Sequence, residues 1–316
     1  MVSAPESGTD AFDVVVLGEV LLEVSTEVPV SDGVPARLGI SGDALNVAAA
    51  AAAAGARTAL LSVIGTDDLG DAIARRVAEL GISTDLLVRA EGRQGAYLVH
   101  SDPDGEREFT YLRGGSVGST LGPEHVDESI FARAGVVVAS GITTAISDTA
   151  RAAVVRAASI AHRFVFDPNH RPRLQTPDAA RALIAELAPH TSLMTPSFPT
   201  ETAMLGAESA LAAGEYLRAL GVDAVAVTCG SAGVQIVGDE QRWVDAVPAP
   251  VVVDQTGAGD SFVGSTAARL VAGDTLADAV AFGVAAASLV VGGRGGTGLV
   301  PSREQTLAHL AGSARG

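Results

Sequence analysis

The 316 residues contain no lysine; all 21 basic side chains are arginines. A Walker-type phosphate lysine and a Schiff-base amine are therefore excluded. One cysteine, Cys229, rules out an intrachain disulfide and a cysteine-based zinc site. It sits in an apolar run, as a structural thiol does. Aromatic residues make up only 4% of the chain, so its core must be built from Ala, Val and Leu. No apolar run approaches the ~20 residues that a membrane helix needs, and no charged segment precedes an apolar one at the N-terminus, as a secretory signal requires. A soluble cytoplasmic protein is the expectation. A formal charge of -16 disfavours nucleic acid and anionic membranes as partners, but not a small anion held in a cleft.

The length suffices for one large domain with a sizeable core. Residues 1–10 are polar, with Pro and Gly, and read as a disordered tail; 11–316 read as a single domain. Residues 12–17 form a strand-type run, and 21–28 alternate. Asp32-Gly33 and Pro35 break 30–40 into short edge strands or a hairpin. Ser41-Gly42-Asp43-Ala44-Leu45-Asn46 opens an alanine-rich helix to about Ala54, closed by Gly55, with Asp43 a candidate cap. A strand at 58–63 precedes a helix at 65–80, with Asp67 or Asp68 suited to its cap. Residues 86–112 turn to β character, and Asp102-Pro103-Asp104-Gly105 signals a hairpin.

Further on, short apolar strands at 136–140, 164–166, 193–195 and 224–228 alternate with helical segments at 149–162, 179–190 and 210–220. That alternation predicts a parallel sheet with helices on both faces and ligands at the carboxyl ends of its strands. Gly141, Asp167-Pro168-Asn169, Pro196-Ser197, 228–233 and 257–260 then share one edge. The stretch 251–263 reads as strand, tight turn and helix start. Glycines there let N–H groups approach an anion, and the helix dipole favours negative charge. Asp260 at the rim of such a cradle is placed to accept a hydroxyl proton.

Asp254-Gln255-Thr256-Gly257-Ala258-Gly259-Asp260-Ser261-Phe262 resembles the C-terminal signature of the ribokinase-like (PfkB) carbohydrate kinases. Ser41 to Asn46 resembles their first signature, with Ser41 in place of a glycine. Tyr111-Leu112-Arg113-Gly114-Gly115-Ser116, Gly141-Ile142-Thr143-Thr144-Ala145-Ile146-Ser147 and Phe166-Asp167-Pro168-Asn169-His170-Arg171-Pro172-Arg173-Leu174 are similar to strings of 2-keto-3-deoxygluconate kinases. The resemblance covers nearly the whole chain after the tail.

The resemblance implies an α/β three-layer sandwich with a mostly parallel central sheet. It also implies a small β-sheet lid, formed by about 19–40 and 90–115, which often makes the contact of a homodimer or higher homo-oligomer. ATP and Mg2+ are the implied cofactors, and the terminal (6-) hydroxyl of the sugar acid 2-keto-3-deoxygluconate is the implied acceptor. Asp260 becomes the general base, with an anion hole at Gly257, Ala258 and Gly259. Gly42, Asn46, Tyr97, Tyr111, Arg113 and Arg171 match sugar-binding positions. Asn169, Ser197, Thr228, Gly230, Ser231 and Gly233 match nucleotide-binding positions.

A guanidinium matches a carboxylate bidentately, so Arg113 and Arg171 discriminate a sugar acid from a neutral hexose. Both also suit ordinary surface arginines, and Tyr97 and Tyr111 also suit packing of a lid strand. Some positions depart from the family pattern. Ser197-Phe198-Pro199-Thr200 replaces Asn-x-x-Glu, with Glu201 one place late, which leaves the metal ligands open. Thr228 stands for a lysine, Val284 for an asparagine near the adenine pocket. Arg294-Gly295-Gly296-Thr297 lacks the acid that often follows Arg-Gly. Alternatives are a kinase for fructose, towards which Glu23 points, or for 2-keto-3-deoxygalactonate, and a non-catalytic nucleotide or sugar sensor. An NAD oxidoreductase ranks lower, since Gly18-Glu19 lacks the Gly-x-Gly-x-x-Gly fingerprint.

Overall fold

The computed structural model describes residues 11–100 and 108–313; the expected tail at 1–10 and the hairpin turn at 102–105 lie outside the described residues. The chain begins with β1 (Val14–Leu17), β2 (Leu21–Thr26), β3 (Arg37–Ser41), α1 (Asp43–Ala53), β4 (Thr58–Gly65) and α2 (Asp68–Glu79). Then come β5 (Leu87–Ala90), β6 (Ala96–His100), β7 (Glu108–Leu112), α3 (Glu128–Phe131), β8 (Val136–Ser140), α4 (Gly141–Thr144) and α5 (Asp148–Ile160). The middle continues with β9 (Phe164–Asp167), α6 (Pro177–Leu187), β10 (Leu193–Met194), α7 (Ala210–Ala219), β11 (Val225–Thr228), β12 (Gly233–Val237) and β13 (Gln241–Asp245). Three helices finish it: α8 (Ala258–Val271), α9 (Leu276–Val290) and α10 (Arg303–Ser313).

Among the described residues, thirteen strands make two sheets. The large one has the order β13-β12-β11-β10-β9-β8-β1-β4-β5, and the small one β3-β2-β6-β7. The large sheet is parallel from β5 to β11 and antiparallel at β12 and β13. Strands of a sheet covered on both faces read as continuous apolar runs, and β1 shows why. Val14 and Val16 point into a core with α1, α2, α8 and α9, while Val15 and Leu17 point into another with α5, α6 and α7. The order reverses at β1, which has β4 on one side and β8 on the other. Ligands in open α/β sheets bind where the order reverses, beyond the carboxyl ends of the strands. The small sheet leaves the carboxyl end of β1 and returns through α1.

Small residues replace aromatics where helices meet. A Cβ on Gly264 of α8 would lie 2.1 Å from the Val47 carbonyl oxygen of α1, and one on Gly283 of α9 would lie 2.3 Å from Thr266 Oγ1 of α8. The low aromatic content is thus the composition of a core whose helices approach backbone to backbone. Among the described residues no helix is long and apolar enough to cross a membrane.

Two expectations need correction. Residues 251–253 are not a strand: Val251, Val252 and Val253 are 59%, 61% and 48% exposed. The large sheet already ends at β13, so the run has no neighbouring strand; Val253 N instead donates to Val291 O at the end of α9, at 2.8 Å. Asp43 does not cap α1; Gly42 holds the cap position and Asp43 is the first helical residue. β5 pairs with β4 in the large sheet, so the β character of 86–112 divides between two sheets. Asp67 does cap α2, accepting from Gly70 N at 2.9 Å. The antiparallel pairing of β2 with β3 supplies the hairpin expected before residue 41.

The α1–α8 approach is testable by urea denaturation. Gly264→Val must push the helices apart and is expected to lower stability by about 1–3 kcal/mol. An unchanged unfolding midpoint would show that the contact tolerates a side chain.

Candidate functional site

The carboxyl edge of the large sheet, the N-terminus of α8 and the inner face of the small sheet enclose a cavity of about 980 Å³. Gly257 precedes α8 in the left-handed region, at φ 83°, where glycine avoids the Cβ penalty. The first N–H groups of a helix have no intrahelical acceptor, and at α8 this turn lines the cavity. Ala258 N donates to Gln255 O at 3.3 Å, and the first helical bond runs from Ser261 N to Gly257 O at 2.8 Å.

Asp260, in the first turn of α8, is half-buried. Asn46 Nδ2 donates to its Oδ2 at 2.7 Å. Burial pushes the Asp260 carboxyl up to about 7, and the Asp43 charge adds to this; the Asn46 amide and the Arg171 charge pull the other way. A carboxyl held near neutrality is poised for proton transfer.

Three more carboxylates complete the cavity floor. Asp43 accepts from the Ser140 hydroxyl at the end of β8, and burial raises it above the usual range. Asp167 ends β9; burial first, then the charges of Glu201 and Asp260, hold it well above the usual range. Glu201 is 4% exposed and accepts from His170 N at 2.6 Å and Ser197 N at 2.8 Å. It joins the loops after β9 and β10. The charge of Arg171 opposes the upward shifts of Asp43, Asp167 and Asp260 alike.

The opposite wall is aromatic and cationic. Tyr97, Phe109 and Tyr111 pack on the inner face of the small sheet, with Tyr97 and Tyr111 centroids 6.0 Å apart. Tyr97 donates its hydroxyl to Glu23, and burial holds that hydroxyl protonated. Arg113 lies 4.6 Å over the Tyr111 ring and 3.3 Å from Glu19, an ion pair with 9% and 1% side-chain exposure. Glu19 also accepts from Ser116 at 2.8 Å, and burial outweighs both donors and raises its carboxyl. Nη2 of Arg113 is buried without a hydrogen-bond partner. Arg171 is exposed, and its Nη1 donates to His170 O at 3.3 Å.

Of the residues singled out in the sequence, Gly42, Asn46, Tyr97, Tyr111, Arg113, Asn169, Arg171, Ser197, Thr228, Gly257, Ala258, Gly259 and Asp260 all line this one cavity. Gly230 and Ser231 do not; they are exposed in a short turn beyond Thr228. Gly233 does not either. Its Cβ would lie 2.3 Å from Val244 O, so close strand pairing with β13 accounts for that glycine. Val284 is buried within α9 and away from the cavity.

Sequence reasoning missed Glu19, Asp43 and Arg173 as cavity residues, and it set Asp167 at the ligand edge without giving it a role. Asp167 carried a signal, an acid ending a wholly apolar strand; Glu19 carried none, because its partner Arg113 is 94 residues away. Among the described residues no cluster of three or more His, Cys, Asp or Glu is arranged to hold a metal ion.

The sequence model of the pfkB family carbohydrate kinases matches residues 11–303. The 2-dehydro-3-deoxygluconokinase of Thermoproteus tenax is 34% identical over 269 residues, covering 83% of this chain and 82% of that protein. The 2-dehydro-3-deoxygalactonokinase of Haloferax volcanii is 28% identical over 251 residues, covering 77% and 79%. Among solved structures, the PfkB protein from Polaromonas sp. JS666 superposes with a TM-score of 0.85 at 26% identity, covering 94% of this chain and 100% of that one. A fructokinase with bound ATP from Xylella fastidiosa gives 0.82 at 22% identity, covering 96% and 99%. The fold is ribokinase-like.

Proposed function

The chain belongs to the pfkB family of carbohydrate kinases, and from that premise we propose that it transfers the terminal phosphoryl group of ATP to the 6-hydroxyl of 2-keto-3-deoxygluconate. The observation that carries this reading is Asp260, raised to about 7, bonded to Asn46 and set at the N-terminus of α8 inside an arginine-lined cavity. The T. tenax relative bears the name of the same reaction.

In this reading the acceptor lies between the small sheet and the α8 turn. Asp260 takes the proton of its terminal hydroxyl as the oxygen–phosphorus bond forms and the bond to ADP breaks. N–H groups of Gly257, Ala258 and Gly259 stabilise charge on the transferring group, Gly257 and Gly259 most directly, because Ala258 N already donates to Gln255 O. The work is positioning and electrostatics. Asn169, Ser197 and Thr228 face the nucleotide; Gly230, Ser231 and Gly233 flank it from outside the cavity.

The charge of Glu201 adds to the burial that raises the proton affinity of Asp167, and two acids so close suit a divalent cation nearby. Both oxygens of Glu201 already accept backbone N–H groups, so Mg2+ would be held by phosphate oxygens and water, with these two acids behind the water. That is the usual manner for this ion. Magnesium supplies charge neutralisation on the phosphates when bound.

Arg113 and Arg171 are read as the carboxylate-binding pair, with unequal shares. Glu19 compensates the charge of Arg113, which leaves the buried Nη2 as a directional donor. Arg171 supplies positive charge facing Asp43, Asp167 and Asp260. Kinases for fructose or 2-keto-3-deoxygalactonate form the second reading. The C-terminal loop without its acid and the Tyr97–Glu23 pair favour it, and so does the H. volcanii relative.

The small sheet is read as a lid. Its outer face places Ile40, Leu22, Ala96 and Leu112 in one row, and Leu38, Val24 and Leu98 in the next. Leu38 is 72% exposed and Leu112 58%. We infer that a second copy of the chain covers this face in a homodimer.

Asp260→Asn is expected to lower kcat about 10²–10⁴-fold while calorimetry finds ATP binding intact. In the wild type, protonation of Asp260 makes kcat fall as pH drops below about 7. Near-normal turnover of the variant, or a rate flat from pH 8 to 5, would remove Asp260 as the base. Arg113→Ala should raise KM for 2-keto-3-deoxygluconate at least about tenfold, the loss of one charge-assisted hydrogen bond, and leave a neutral hexose unaffected. Equal effects on both acceptor types would argue for the hexose reading. Leu38→Glu with Leu112→Glu is expected to halve the mass seen by sedimentation; an unchanged mass, or a monomeric wild type, excludes the lid-face dimer.

A further inference from the structure

Residues 292–298, between α9 and α10, contain five glycines, an arginine and a threonine. The segment is fastened on several sides. Gly295 N donates to Asp254 Oδ2 at 2.9 Å, beside the α8 turn. Arg294 pairs with Glu27 at 2.5 Å, just past β2. Arg76 Nη2 on α2 donates to Thr297 O at 3.1 Å. These contacts tie the segment to the α8 turn, to the end of β2 and to α2.

Gly296 touches the catalytic pair. A Cβ there would lie 2.1 Å from Asn46 Nδ2 and 2.4 Å from its Cγ and Oδ1. On the other side, the Cα of Gly296 lies 2.7 Å from the place a Cβ on Gly257 would occupy. The backbone of Gly296 therefore fills the gap between the anion turn and the Asn46 amide. This glycine is required by space, since its φ lies outside the left-handed range. Asn46 in turn donates its Nδ2 to Asp260, and that bond is among the influences holding the Asp260 carboxyl down.

We propose that Gly296 is a positioning residue: its bare Cα leaves the room in which the Asn46 amide stands, and Asn46 thereby orients Asp260 towards the acceptor hydroxyl. The proposal rests on the reading of Asp260 as general base, and it goes beyond the residues of the two family signatures. A side chain at 296 turns the amide away. Asp260 then loses a hydrogen bond that favours its charged form, so its pKa rises further and its carboxylate is no longer fixed.

A cycle of Gly296→Ala, Asn46→Ala and the double variant tests this. Gly296→Ala is expected to lower kcat about 10–100-fold, as a displacement near 1 Å does, and to shift the acid limb of the pH–rate profile upward. The ATP dissociation constant from calorimetry stays at the wild-type value. In the Asn46→Ala background the space is open, so adding Ala at 296 changes kcat by less than about twofold, the non-additivity expected of residues in contact. Losses that multiply independently, or a Gly296→Ala enzyme with wild-type kcat and pH profile, overturn the proposal. If Gly296→Ala does not fold, the double variant decides: turnover equal to Asn46→Ala supports it, and lower turnover overturns it. Failure of the base assignment is separate, because it shows as near-normal turnover of Asp260→Asn, whereas independent losses in the cycle leave that assignment standing.

Discussion

Asp260 is a carboxyl in a place that disfavours the charged form, and the proposed base role needs that form. Removing it from water and setting Asp43 nearby raises its pKa to about 7, and the same burial raises Asp43 and Asp167. A carboxyl whose pKa is raised on folding loses stability contribution as pH climbs from its unfolded value towards its folded one. The acid floor thus works against folding at neutral pH. The surroundings limit that cost: the Asn46 amide, the Ser140 hydroxyl, two backbone N–H groups on Glu201, the Arg171 charge and the positive end of α8. A base with a pKa far below neutrality would be too weak, and one far above would stay protonated. The structure sits between these by opposing desolvation with directed donors.

The absence of lysine acquires a meaning in that setting. An ammonium is a compact, strongly hydrated charge, whereas a guanidinium tolerates burial and stacks on rings. Arg113 does both, over Tyr111 and against a Glu19 that is itself 2% exposed. The glycines make this burial possible, since a Cβ at Gly118 would lie 2.6 Å from Glu19 Cγ and one at Gly95 2.8 Å from its Oε1. A chain with net charge -16 therefore presents guanidinium donors inside its cleft, among the acids that line the same cavity. Long-range repulsion of anions by the surface and short-range attraction inside the cleft are separate fields, and the short-range one decides binding within the cavity.

Legibility in the sequence followed the range of the physical cause. The strand at 136–140 was readable to the residue, because an apolar run buried on both faces needs only local pattern to be recognised. The run at 251–253 has the same composition and is no strand, because a strand also needs a neighbour, and that information lies elsewhere in the chain. The residues of the α8 turn were legible because a phosphate cradle is local: glycines, a helix start and an acid within a few positions. Glu19 was not, since its role exists only through Arg113; Asp167 was legible as the end of a strand on the ligand edge, but its raised proton affinity depends on Glu201, 34 positions away. Gly230 and Gly233 matched a family string, yet one is exposed and the other is required by β13.

A glycine motif thus records at least two different demands, and only coordinates separate them. At Gly257 the demand is first conformational, a left-handed φ at the start of α8 beside the cavity, with the close approach of Gly296 added to it. At Gly264 and Gly283 it is steric, the close approach of helices that an aromatic-poor core requires. Gly296 belongs to the steric kind but stands at the chemistry: its neighbours are the turn that would hold the phosphate and the amide that holds the base. The acid-free sequence at 294–297 leaves the space beside Asn46 that a side chain at 296 would fill, so in the proposed reading this departure from the family pattern concerns the setting of Asp260 as well as the choice of acceptor.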